Sequence, residues 1–184
     1  RIVRSIERAD KMIQNLLDAN AIERGELNVK LVSTDLTSVL AAAVENYRPR
    51  AAAKQQTIHL ENAALPVMVV IDPNVRVQVL ENLISNAVKY SPKDKNIYAR
   101  LKAANAMARC EIQDEGPGLS AEDQKKLFGK FARLSAKPTG GEHATGLGLS
   151  IVKAIIERHG GSVSVRSTPN VETVFEVSLP ISRA

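Results

Sequence analysis

Gln78-Val79-Leu80-Glu81-Asn82-Leu83-Ile84-Ser85-Asn86-Ala87-Val88-Lys89-Tyr90-Ser91-Pro92 is the run that decides how this chain is read. It continues from Asp72-Pro73, a helix start with Asp as N-cap and Pro at the first helical position, and Ser91-Pro92 stops the helix. Asn82 and Asn86 are four apart and Lys89 is three further on, so they share one helix face. Most of the remaining surface is Val, Leu, Ile and Ala. Carboxamides beside such a core cost free energy unless they gain partners. Hydrated Mg2+ and phosphate oxygens would supply them, since Asn oxygen is a hard neutral ligand and Lys a point charge. A polar helix face exposed to water accounts for the same pattern.

Three further blocks follow in order. Asp114-Glu115-Gly116-Pro117-Gly118 comes after a strand pattern. Its glycines permit a tight turn and close approach to a flat ligand, and an ionised Asp can accept from an exocyclic amine such as that of adenine. An ordinary Asp/Gly/Pro turn reads the same way. Leu127-Phe128-Gly129-Lys130-Phe131-Ala132-Arg133 carries two of the three Phe in the chain beside a Gly-rich loop. These Phe could anchor that loop to the core, and Lys130 and Arg133 could reach a phosphate or remain solvated charges. Thr145-Gly146-Leu147-Gly148-Leu149-Ser150 opens a helix after the loop, where N–H groups and the helix dipole favour phosphate. Neither GxxxxGK[ST] nor GxGxxG occurs, so this is not a P-loop or a dinucleotide fingerprint.

In this order the four blocks resemble the N, first glycine, F and second glycine boxes of sensor histidine kinase ATP-binding domains, within the GHKL ATPases. The resemblance covers about residues 30–184. It implies a two-layer α/β sandwich, a mixed sheet with helices on one face, preceded by a long N-terminal helix. It implies ATP and Mg2+ as ligands, with Asn86 on the metal, Asn82 assisting and Lys89 on phosphate. Tyr90 would line the nucleotide site, Asp114 would read the adenine amino group, and Gly116 and Gly118 would shape that pocket. Gly146, Leu147 and Gly148 would cover the phosphates as the end of an ATP lid, with Thr173 near the adenine. The implied reaction moves the γ-phosphoryl of ATP to a histidine, for relay to a response regulator.

The chain departs from the family pattern at three points. Ala144 stands where a glycine is frequent in the lid, and Ser167 to Thr173 lacks the usual glycine before the Thr. The histidines are His59, His143 and His159, none in the surroundings of a phosphoacceptor, so the accepting residue is expected outside this chain. Two other readings remain. One is a non-catalytic module that keeps the fold and docks partners through its first helix, supported by Ala144. The other is an ATPase using water, which in this superfamily carries a Glu where this chain has Asn82.

The remaining segments supply the scaffold. Residues 1–24 pattern as an amphipathic helix, with Ile2, Ile6, Ala9, Ile13, Leu16 and Leu17 on one stripe and Gly25 as its stop. A helix of that length is marginal alone, so residues 1–26 read as the end of a dimerisation helix and 27–184 as the catalytic domain. The start at Arg1, without Met and in mid-pattern, reads as a fragment. Leu27 to Val32 alternates weakly as a strand, and Asp35 caps a helix near 36–54. Strand patterns follow at Thr57–Glu61, Val67–Ile71, Ile97–Lys102, Arg109–Gln113, Ser162–Arg166 and Glu172–Leu179, with Ser120 capping a short helix.

The chain has 184 residues, 44% hydrophobic and 24% charged, as a globular protein does. Aromatics are 3% with no Trp, so the core is aliphatic. Net charge is +5, but Lys and Arg are dispersed and stacking aromatics are missing, which argues against nucleic acid. No run approaches the roughly 20 apolar residues that cross a bilayer, so no membrane contact is expected of this segment. A lone cysteine, Cys110, forbids an internal disulfide and fits a cytoplasmic setting.

Overall fold

The computed structural model describes residues 30–132, 134–140 and 146–182. The expected helix over 1–24 and both sides of the expected boundary near residue 26 lie outside them. Thr34, buried at the middle of a short strand, β1 (Val32–Asp35), leads directly into helix α1 (Leu36–Ala52). Asp35 caps that helix as its sequence demands, its Oδ1 accepting from Thr37 N–H at 3.0 Å and its other oxygen from Ser38. Leu36, Leu40, Ala43, Val44 and Tyr47 turn inward on one stripe.

Strand β2 (Thr57–Glu61) and strand β3 (Met68–Ile71) occupy the expected segments, yet they part company. The turn between them does not make a hairpin. β3 pairs antiparallel with β1, whereas β2 pairs parallel with β4 (Asn96–Ala104). A parallel pair needs a long crossover. Here β3 and helix α2 (Pro73–Tyr90) provide it. β4 turns back into β5 (Met107–Asp114), and after helices α3 (Ala121–Lys126) and α4 (Gly148–Arg158) the chain closes with β6 (Ser162–Thr168) and β7 (Glu172–Pro180). The main sheet runs β2-β4-β5-β7-β6, antiparallel except for its first pair.

Register sorts the faces of this sheet. Ala99 opposes Ile112, which opposes Phe175, and Leu101 opposes Cys110, which opposes Val177; all are buried. Over them lie α1, α2 and α4, with α2 between the other two. The alternate positions form a polar outer face. Arg100 pairs with Glu61 at 3.0 Å, Arg166 with Glu111 at 3.0 Å, and His59 stacks on Tyr98 at 4.9 Å. Helices therefore cover one face, the expected two-layer sandwich. Cys110 is among the core residues and burial pushes its thiol up to about 12, so it is a packing residue rather than a nucleophile.

Two local expectations change. The last helix begins at Gly148 rather than Gly146, because Gly146 adopts φ +71. The β6–β7 turn manages without its usual glycine: Asn170 takes φ +61, a conformation Asn tolerates, and its N–H donates to Pro117 O at 2.8 Å. Among the described residues no helix is long and apolar enough to cross a membrane. Asp35→Ala removes the side-chain cap of α1 and is expected to cost about 1 kcal/mol, read as a lower urea midpoint with an unchanged slope.

Candidate nucleotide site

Helix α2 buries Val79, Leu80, Leu83, Ile84, Ala87 and Val88. Asn82 is itself buried: its Nδ2 donates to Gln78 O at 3.0 Å, and its Oδ1 lies against the start of α4, where a Cβ on Gly148 would sit 2.8 Å away. A side chain at Gly148 would therefore have to displace the Asn82 carboxamide. Asn86, one turn on, is half-buried. Lys89 brings its ammonium 5.6 Å from the centre of the Tyr90 ring. Asn82, Asn86 and Lys89 all stand on the continuous helix Pro73–Tyr90, at a spacing that puts them on one side of it.

At the end of β5, Asp114 is 3% exposed and opposite Thr173 of β7. Its Oδ1 accepts from Gly116 N–H at 2.9 Å. A Cβ on Gly116 would meet that oxygen at 2.5 Å and Tyr90 O at 3.2 Å, so the glycine lets the turn close against the end of α2. In this way Asp114, Gly116 and Thr173 come together with Tyr90, although Tyr90 and Asp114 belong to separate elements. Ser167 adds a link that no sequence pattern announced. Its hydroxyl donates to Glu172 O at 2.6 Å, lies 3.0 Å from Thr173 Oγ1, and accepts from Leu119 N–H at 2.9 Å.

Gly118 serves a different neighbour. It adopts φ +68 and packs on the backbone of Thr168 and Pro169, so it seats the loop on the β6–β7 turn rather than touching Asp114. Of the second glycine block, Leu147 is buried in the core at 1% exposure, and Gly146 packs on the Phe131 backbone, where a Cβ would be 2.9 Å from Phe131 Cα. Phe128 packs on the core, but Phe131 is 61% exposed and does not anchor the loop. Lys130 is exposed. Arg133, His143 and Ala144 lie outside the described residues. The remaining histidines hold structure. His59 Nε2 meets Asn96 Oδ1 at 2.9 Å; His159 Nδ1 lies 2.7 Å from Ile155 O and its Nε2 accepts from Asp72 N–H at 3.2 Å.

The loop is held at further points that the sequence reading missed. Asp123 accepts from Ser135 N–H and hydroxyl, and Thr139 N–H donates to Lys89 O at 3.0 Å. Lys54 reaches Val88 O at 2.7 Å and Thr139 Oγ1 at 2.7 Å, while the buried Gln56 donates to Ser91 O at 2.7 Å. Nothing near Lys54 in sequence signals this, because its partners are distant in the chain. A surface groove of about 620 Å³ lies at the other end of β4, lined by Ala63, Leu65 and Ala103, and contains none of the site residues.

Residues 71–183 match the family described as histidine kinase-, DNA gyrase B-, and HSP90-like ATPase. The chain belongs to this family. It is similar to the sensor protein GacS of Pseudomonas syringae pv. syringae, 34% identical over all of this chain and 21% of that protein. Similarity to the adaptive-response sensory kinase SasA of a Synechococcus species is 29%, over 97% of this chain and 47% of that protein. The chain therefore spans about a fifth to a half of these relatives. Among solved structures, full-length ShkA in complex with AMPPNP superimposes with a TM-score of 0.86 at 22% identity, over 98% of this chain and 37% of that one. The Acinetobacter baumannii histidine kinase AdeS gives 0.79 at 23% identity, over 98% and 82%. The GHKL domain described here is thus an ATP-binding domain of the histidine kinase type, and its relatives do not favour the degenerate reading.

Asp114 carries the main electrostatic signature of this GHKL site. Burial pushes its carboxyl from 3.8 up to about 7, the Glu172 charge adds to the rise, and the Gly116 N–H opposes it. An amine donated to Asp114 favours the ionised form, and the acid form still offers an acceptor oxygen. Because the folded pKa exceeds the unfolded one, the folded state binds more protons between them, and stability falls as pH rises from about 4 through about 7. Asp114→Asn abolishes that term. Its unfolding free energy, read from urea midpoints, is expected to rise relative to wild type between pH 5 and pH 8, by an increment on the order of 2 kcal/mol. A constant difference across that range would show that Asp114 is not buried in this way.

Proposed function

We propose that this chain is the catalytic ATP-binding domain of a two-component sensor histidine kinase, which binds Mg·ATP and presents the γ-phosphoryl to a histidine of the kinase outside this chain. The observation that carries this reading is the buried Asp114, whose carboxylate is held by Gly116 in a turn that closes on the Tyr90 carbonyl at the end of α2. Phosphoryl transfer depends on positioning and charge neutralisation. The metal would supply charge neutralisation between phosphate oxygens. Asn86 would ligate it with Asn82 assisting, Lys89 would meet phosphate, and Asp114 would accept from the adenine amine. Lys130, Arg133, Gly146, Leu147 and Gly148 would bound the phosphate side, and Tyr90, Gly116, Gly118 and Thr173 the adenine side. Asn82 in place of a Glu base supports transfer to a protein group over hydrolysis.

His59 and His159 are engaged in packing contacts, which supports an acceptor elsewhere. The sequence pattern of residues 1–26, which lie outside the described residues, supports the end of a dimerisation helix; the kinase would then be a homodimer through that segment and would pass its phosphoryl group to a response regulator. A nucleotide-dependent kinase with a lone free cysteine suits the cytoplasm.

Calorimetric titration with ADP tests the reading. Wild-type chain is expected to bind, more tightly with Mg2+ than without. Asp114→Ala is expected to weaken binding at least tenfold, as loss of a buried polar contact does. Asn86→Ala is expected to remove most of the Mg2+ enhancement while keeping metal-free affinity. Failure of wild type to bind ADP under either condition would reject the assignment.

A further inference from the structure

We propose that Lys54 is a positioning residue of the nucleotide site, acting as a clamp that fastens the 134–140 loop segment to the end of α2 beside Lys89 and Tyr90. This rests on the reading of that site as a nucleotide site. Lys54 lies just beyond α1. Among the described residues its ammonium donates to Val88 O at 2.7 Å, Thr139 Oγ1 at 2.7 Å and Lys89 O at 3.3 Å. Two of these are carbonyls of the last turn of α2, which have no donor within the helix and stand at the negative end of its dipole. A cation is therefore the fitting partner there.

Thr139 completes the clamp from the loop side. Its N–H donates to Lys89 O at 3.0 Å. Its hydroxyl accepts from Lys54 and has one proton to give, with Ser91 O at 2.8 Å and Lys89 O at 3.1 Å in reach. Gln56, 5% exposed, secures the next carbonyls, donating to Ser91 O at 2.7 Å and Pro92 O at 3.1 Å. Lys54 thus joins the end of α1, the end of α2 and the loop. The held residues matter, because Tyr90 O is the atom against which Gly116 closes, and Lys89 is the cation of the α2 face. Without the clamp, the α2 terminus and the loop would have to be ordered when nucleotide binds, and that ordering weakens affinity.

The test uses the whole chain and the variants Lys54→Met, Lys54→Arg, Thr139→Val and Lys54→Met with Thr139→Val. MgADP affinity is read by calorimetry, and hydrogen exchange of residues 134–140 is read without nucleotide. Lys54→Met is expected to weaken MgADP about tenfold, and the exposed, near-isosteric Thr139→Val about threefold. The double variant is expected to be no weaker than Lys54→Met, since both remove one interaction. Lys54→Arg is expected to recover affinity to within about twofold, as the cation is kept. Exchange in 134–140 should quicken in Lys54→Met and Thr139→Val while α1 stays protected. Wild-type affinity in Lys54→Met would overturn the clamp, as would weakened binding with unchanged exchange. A wild-type chain that binds no MgADP would reject the nucleotide reading instead. The clamp would then stand or fall on exchange alone, which needs no ligand.

Discussion

Helix α2 has to satisfy two environments at once, and the rest of the structure is arranged around that constraint. Its apolar face, with Leu83 and Ile84 fully buried, holds the helical layer to the sheet. From other positions on it, Asn82 and Tyr90 meet the glycine-rich turns. A helix can do both because successive residues point about 100° apart, so one sequence presents two chemistries at fixed spacing. The close approaches of Gly148 to Asn82 and of Gly116 to Tyr90 follow from that position. A side chain at Gly148 would displace the Asn82 carboxamide, and one at Gly116 would press on the Asp114 carboxylate and the Tyr90 carbonyl.

The end of α2 is the second consequence. Helix termini leave carbonyls without intrahelical donors, and burying such an end requires donors from elsewhere. Here they come from Lys54, Gln56 and Thr139, three residues with no common local motif. The same arrangement that completes the helix therefore also determines where the loop lies. Polar satisfaction and site geometry are one problem at this point. At the opposite side of the site, Ser167 performs a similar service, tying the turn after β5 to the β6–β7 pair and so to Thr173.

Asp114 shows what such a site costs the folded protein. A carboxyl held at 3% exposure with one backbone donor is poorly matched to charge, which is why its proton is retained toward neutral pH. An ordinary core position would carry an apolar residue there, as Ile112 and Cys110 do further along β5. A buried acceptor kept at the end of a strand, against a glycine turn, is the sort of local conflict found where a ligand is expected to complete the hydrogen bonding.

Much of this was legible in the sequence, because the relevant signals are local. Periodicity located α1, α2 and the strands of the β4–β5 pair, and side-chain chemistry located the caps at Asp35 and Ser120. The four blocks named the family that residues 71–183 match. Strand partners were not legible: β2 and β3 alternate as neighbours in sequence, and only the crossover through α2 assigns them to different sheets. Nor could the sequence show that Gly118 serves the β6–β7 turn, that Phe131 stands in solvent, or that Lys54 reaches Thr139. Local preference depends on neighbours along the chain, which a sequence displays. Partners remote in the chain are set by how layers pack and which buried polar groups remain to be satisfied, and only the tertiary structure decides that.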